Sequence, residues 1–258
     1  MTSIARKLTF TAGGLTVAAG LWLLQDEPAV AQSTPPEPPA PLYSGQDSIG
    51  ARPNAQLEHP ALFFEAKAPW PALGIEAPRT AWEHAQRGMY RQDDLEDVEG
   101  AIEDYEAALA LDGHLLVASA RLGYLALERG LAAARAGETA AAEAALREAV
   151  ERYAVVCHEQ PSRQGVRLRQ AQAYLQLWRL SGDAAEAERA EATLREELAL
   201  APTQQEAFWA LAQLYDAQGR AAEALDMVRR YLAEAEIQGD PYPWRVRAAE
   251  QLRTRLGG

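Results

Sequence analysis

Side chains able to do chemistry are few in this sequence, and their spacing argues against catalysis. The four histidines, His59, His84, His114 and His158, are scattered without ligand spacing, whereas a helical zinc site needs two histidines a turn apart with a glutamate between them. Neither a glycine-rich phosphate loop nor a G-x-S-x-G turn is present. An acidic run of Asp93, Asp94, Glu96, Asp97 and Glu99 continues through Glu103, Asp104 and Glu106. It fails as a calcium loop, because Leu95 and Val98 stand where an oxygen ligand and a glycine are needed. Acidic residues entering a helix complement its dipole, so a solvated N-terminal turn is expected there. No catalytic residue, metal ligand or cofactor is assigned, and the chain reads as a non-enzyme.

Cys157 is the only cysteine, so no intramolecular disulfide is open to this chain. Ala154-Val155-Val156-Cys157-His158 resembles a haem c attachment sequence without its first cysteine. A helix interior offers no haem pocket, and a structural thiol is the expected role. Cross-linking of two copies through Cys157 is the lesser alternative.

Helices must position whatever site there is. After about Arg79, Ala, Leu, Glu and Arg dominate, and aromatics make up only 7% of the chain. That composition suits helix packed on helix and not a sheet, so the fold class is all-α. The formal charge of −12 excludes nucleic acid and anionic membrane surfaces as bulk-charge partners.

Residues 1–31 have the layout of an export signal. Arg6 and Lys7 precede an uncharged run from Leu8 to Leu24, and Ala29-Val30-Ala31 supplies the small residues of a cleavage site. Cleavage after Ala31 predicts a periplasmic or secreted chain starting at Gln32. The loss of Arg6, Lys7, Asp26 and Glu27 leaves its net charge unchanged. The alternative is an uncleaved single-pass anchor in the inner membrane, with everything else outside the cytoplasm. About 17 helical residues at ~1.5 Å each span roughly 25 Å, slightly short of a ~30 Å hydrocarbon core, which favours cleavage. Contact with a membrane is expected only through this segment.

From residue 32 to 79 prolines recur between Pro35 and Pro78, which opposes long helices. The segment is expected to be a tether to about Asn54, then an arm. In the arm Leu62, Phe63, Phe64, Trp70, Leu73 and Ile75 carry too much apolar surface to stay in water.

Residues 80–240 read as helical hairpins. The clearest spans Ala207 to Leu232, AFWALAQLYDAQGRAAEALDMVRRYL. Phe208, Leu211 and Tyr215 recur at helical spacing to fill a core, Ala212 and Ala224 allow close helix crossing, and Gly219 supplies the turn. This stretch resembles the tetratricopeptide repeat, with Phe208 at the aromatic place that opens helix A and Leu211-Ala212 at its Leu-Gly pair. Weaker copies precede it. Ala101 to Asp112 matches a helix B behind a helix A from about Thr80. Leu122-Gly123 marks a second helix A, with Ala142, Leu146 and Ala149 on its helix B. In that unit Gly130 and Gly137 both qualify as the turn, and the closing Pro161 comes seven residues late, about two helical turns. Both helices of this hairpin are therefore expected to be lengthened equally. A third unit turns at Gly182 and ends at Pro202. Residues 241–258 close the array as an arginine-bearing capping helix that starts at Pro243. The expected architecture is a tetratricopeptide-like solenoid of about four antiparallel hairpins plus a C-terminal cap.

The resemblance implies a ligand groove lined by the A helices. Carried across residue by residue, its places fall on Val117, Ala120, Tyr124 and Leu127 in the second unit. They fall on Arg169, Gln172, Gln176 and Arg179 in the third, and on Glu206, Trp209, Gln213 and Asp216 in the fourth. Amides and guanidinium groups bond peptide carbonyls and carboxylates, and Tyr124 and Trp209 stack on side chains, so an extended peptide or protein partner suits the surface. The Lys and Asn residues of the carboxylate-clamp subfamily are not evident. The functional expectation is an exported adaptor of bacterial type. The alternatives are an envelope or cytochrome-complex assembly factor held by an uncleaved anchor, and a permanent structural subunit.

Overall fold

The computed structural model describes residues 77–240 and 242–258. The predicted export segment, tether and apolar arm lie outside these residues. The described residues form nine helices: α1 (Ala81–Asp94), α2 (Val98–Leu111), α3 (Leu116–Ala136), α4 (Thr139–Glu159), α5 (Val166–Ser181), α6 (Ala184–Leu200), α7 (Gln205–Ala217), α8 (Ala221–Gln238) and α9 (Pro243–Arg255). Among the described residues no helix is long and apolar enough to cross a membrane.

Local signals set the boundaries. Thr80 and Glu83 form a reciprocal capping box at the start of α1, which satisfies donors that the helix cannot bond itself. Asp97, inside the acidic run, accepts from Gly100 N–H at 3.0 Å and caps α2. The run is thus largely structural. Asp93 pairs with Arg121, and Asp104 is buried against Arg87, Arg91 and His84. Gly137, Gly182 and Gly219 all end A helices with positive φ, a backbone state that glycine adopts without steric cost.

Helices pair as α1/α2, α3/α4, α5/α6 and α7/α8, and α9 packs on α8. This is an all-α, tetratricopeptide-like solenoid of four antiparallel hairpins and a closing helix. The second hairpin is lengthened on both sides, with 21 residues in each of α3 and α4. Its turn is at Gly137; Gly130 lies inside α3. A Cβ built on Gly130 would come within 2.7 Å of Leu146 Cγ and 3.2 Å of Leu146 N, so this glycine permits the two long helices to touch.

Four apolar clusters follow one another along the array. One joins Ala85, Met89 and Tyr105 of the first hairpin to Val117 and Leu122 of α3. The next joins Leu127, Leu146 and Tyr153 to Ala173 and Leu177 of α5. A third joins Leu168, Leu175 and Leu194 to Leu211 and Tyr215 of α7, and the last joins Phe208, Ala212 and Tyr231 to Leu252 of α9. Each cluster crosses a hairpin boundary, so each hairpin depends on its neighbour.

A carboxylate is buried inside the third hairpin. Glu197 of α6 has no exposed surface, and it accepts from Gly165 N–H at 2.6 Å, at the start of α5. Burial raises its pKa above the usual carboxylate value, against the lowering effects of the Gly165 N–H, the Arg167 charge and the Leu168 N–H.

Two stability predictions follow from these contacts. Gly130→Val is expected to destabilise the chain by ~1–3 kcal/mol in denaturant unfolding, because the new side chain overpacks a tight crossing. An unchanged midpoint contradicts the close approach. For Glu197 the folded pKa lies above the unfolded one. Its contribution is therefore complete below the unfolded pKa and is lost as pH rises through the folded pKa. Glu197→Gln keeps an acceptor for Gly165 without the charge, so its stability relative to wild type is expected to improve as pH rises from acid toward neutral. Unfolding curves over a pH series test this, and a difference independent of pH contradicts it.

Candidate functional site

The A helices α3, α5 and α7 lie side by side, since α3 touches α5 and α5 touches α7. No pair of B helices approaches to a comparable degree, so the row of A helices is the tighter, inner side of the curve. Burial agrees. Eight of the thirteen residues of α7 are buried, against three of the eighteen of α8, as expected when an A helix is flanked by its partner and by neighbours on both sides.

On the central helix α5 the charged and amide residues that are not buried fall on one strip. Its buried residues are Val166, Arg167, Leu168, Gln170, Ala171, Ala173, Leu175 and Leu177. Arg169, Gln172 and Gln176 are half-buried, and Arg179 is exposed. At 3.6 residues per turn these four fall within an arc of about 80°. Arg169 donates from Nη1 to Gln172 Oε1 at 3.0 Å, and its Nε is buried without a hydrogen-bond partner. Arg179 has no ion-pair partner among the described residues. Desolvation pushes its pKa below the usual arginine value.

From α3, Tyr124 comes to the same strip. It is half-buried, and burial raises its hydroxyl pKa, with the Glu128 charge adding to the rise and the Arg169 charge opposing it. The other places carried to α3 do not reach the groove. Val117 and Leu127 are fully buried and Ala120 is 4% exposed, because Val117 is part of the cluster shared with the first hairpin while Ala120 and Leu127 pack toward α5. The half-exposed residues of α3 after Tyr124 include Glu128 and Leu131, one and two turns along the same face. Glu128 is the acidic neighbour that the sequence reading missed. The lengthening of the second hairpin, visible in the late Pro161, was the signal that this unit has its own register.

On α7 the four places are half-buried, but three are engaged elsewhere. Trp209 packs its ring on Tyr231 with centroids 5.6 Å apart, as part of the cluster with α9. Asp216 accepts from Arg255 at 2.6 Å and Glu206 from Arg245 at 3.3 Å. Gln213 is the one that makes no side-chain hydrogen bond among the described residues. The structure thus brings Tyr124, Arg169, Gln172, Gln176 and Arg179 into one line, while Trp209 and Asp216 serve the attachment of the cap.

Cys157 is half-buried, with Sγ 3.9 Å from Gln170 Oε1. Burial pushes its pKa up to about 11, so little of it is thiolate at neutral pH. Among the described residues no group of three His, Cys, Asp or Glu side chains is disposed to hold a metal ion.

The division between line and cap is testable by stability. Trp209→Ala is expected to cost about 2–3 kcal/mol, less than a fully buried tryptophan, because it opens the Tyr231 contact. Gln176→Ala is expected to stay within about 0.5 kcal/mol of wild type. Equal losses for the two variants contradict the assignment.

No protein-family model matches this chain, and no curated protein matches it. Among solved structures it is similar to the Assembly Chaperone of RpL4 (Acl4), residues 1–338, with 19% sequence identity and a TM-score of 0.46, over 80% of this chain and 82% of that one.

Proposed function

We propose that this chain is an exported adaptor without enzymatic activity, which holds a protein partner through an extended peptide laid along α5. The observation that carries the reading is the strip of Arg169, Gln172, Gln176 and Arg179, unburied polar side chains on one face of a helix half of whose residues are buried. Amides and guanidinium groups in a line offer donors and acceptors at the spacing of a peptide backbone. Tyr124 supplies an aromatic edge beside them. Export is supported by the basic, apolar and small-residue order of residues 1–31, and it would place the partner in the periplasm or outside the cell.

A photo-reactive amino acid at Gln176 is expected to cross-link one discrete partner protein in cells, whereas the same group at Glu188, exposed on the outer helix α6, is not. The cross-linked chain, sequenced from its N-terminus, is expected to begin at Gln32. Identical adducts from both positions, or none from Gln176, contradict the groove reading. A start at Met1 contradicts cleavage and leaves the anchor.

A further inference from the structure

The A helices at the two ends of the row are tied to their neighbours by arginine–carboxylate pairs. Arg121 of α3 holds Asp93 of α1 through two bonds of 2.9 and 3.1 Å. At the other end Arg245 and Arg255 of α9 hold Glu206 and Asp216 of α7. The central helix breaks the pattern. Among the described residues neither Arg169 nor Arg179 faces a carboxylate at ion-pair distance, although acidic residues outnumber basic ones by 37 to 25 in the chain. Glu206 and Asp216, the α7 carboxylates in equivalent register, are occupied by the cap. Glu128, one turn beyond Tyr124 on α3, is an acidic side chain near the strip whose charge acts on Tyr124 together with that of Arg169.

We propose that the strip on α5 recognises an acidic extended segment, with one carboxylate at Arg169 and a second at Arg179, and with Gln172 and Gln176 bonding the peptide groups between them. The spacing follows from geometry. Ten helical residues at ~1.5 Å each separate the two arginines by about 15 Å, and an extended chain advances ~3.3 Å per residue. The two acidic side chains are therefore four or five residues apart. Guanidinium groups bond carboxylates with two parallel hydrogen bonds, and Arg169 is held at the strip by its bond to Gln172 with its Nε buried and without a partner among the described residues. This inference rests on the groove reading and adds to it the chemistry of the occupant.

The test uses the full chain and fluorescein-labelled nine-residue peptides of Ser, Thr and Val, in fluorescence polarisation at low and at physiological salt. One peptide carries two glutamates five residues apart, a second carries them adjacent, and a third has glutamine in both places. The spaced peptide is expected to bind at least tenfold more tightly than the glutamine peptide and several-fold more tightly than the adjacent one. Arg169→Gln and Arg179→Gln are each expected to weaken the spaced peptide about tenfold and to leave the glutamine peptide unchanged, with melting temperatures held. Equal binding of the spaced and glutamine peptides overturns the acidic occupant. If that equal binding is also lost in Gln172→Ala and Gln176→Ala, the groove reading survives without it. Absence of binding by all three peptides overturns the inference, and the cross-linking at Gln176 then decides separately whether a partner uses the groove. Weakening by both arginine variants without preference for spacing overturns the two-point arrangement.

Discussion

Each hairpin of this array completes its core against the next, chiefly where the B helix of one meets the A helix of the following one, and α3, α5 and α7 touch in succession as well. Ala118 and Ala120 on α3, Ala171 and Ala173 on α5, and Ala210 and Ala212 on α7 are all buried, and small side chains let helix axes approach. Larger residues then fill the space the approach defines: Leu127 and Leu177 on one side of α5, Leu168 and Leu211 on the other. Each fully buried leucine contributes roughly 1.5–3 kcal/mol, so the stacking energy lies between repeats as much as within them. Because the inner row is drawn together and the outer row is not, the array curves.

That constraint also sorts the charges. On either side of α5, long arginines reach to carboxylates of a neighbouring helix, as Arg121 of α3 does to Asp93 of α1 and Arg255 of α9 to Asp216 of α7. The cap α9 is held the same way, by Arg245 and Arg255 on one edge and by Ala249 and Leu252 in the core. On α5 the charged and amide residues divide between the buried Arg167 and Gln170 and the strip. Arg169 and Arg179 are there because the other faces of α5 are filled with apolar side chains and with the buried Gln170 and Arg167.

Much of the fold was legible because the repeat is written in helix-spaced apolar residues. Phe208, Leu211, Tyr215, Ala212 and Ala224 were placed in the core from spacing and are buried, and the seven-residue delay of Pro161 foretold the two 21-residue helices. Of the places carried across to a groove, those on α5 are the ones the packing leaves unburied and without ion-pair partners among the described residues. Periodicity gives the angle of a side chain around its own helix, but not which neighbour covers that angle. Val117 and Leu127 have the right angle relative to Tyr124 and lie under adjacent hairpins. Trp209 is taken by Tyr231 of its own hairpin partner α8, and Asp216 by Arg255 of α9, which a single-repeat alignment does not contain. Gly130 was ambiguous for a similar reason: a glycine for a turn and a glycine for a crossing look alike until the partner, Leu146, is known.

The charge of the whole chain and the charge of the strip have opposite signs, and distance decides which one a partner meets. At physiological salt the Debye length is about 8 Å, so a net charge of −12 spread over the surface is largely screened from an approaching protein. It gives little long-range steering toward an acidic segment and mild repulsion of a strongly acidic partner. Within contact distance the screening is lost, and the desolvated Arg179 and the partly buried Arg169 act in a lower dielectric, where a paired carboxylate gains more than in water. Such a site discriminates by how long a complex lasts and not by how quickly it forms. The surface is thus suited to a short acidic stretch inside a partner of otherwise modest charge, with the general acidity of the array working against uniformly acidic proteins.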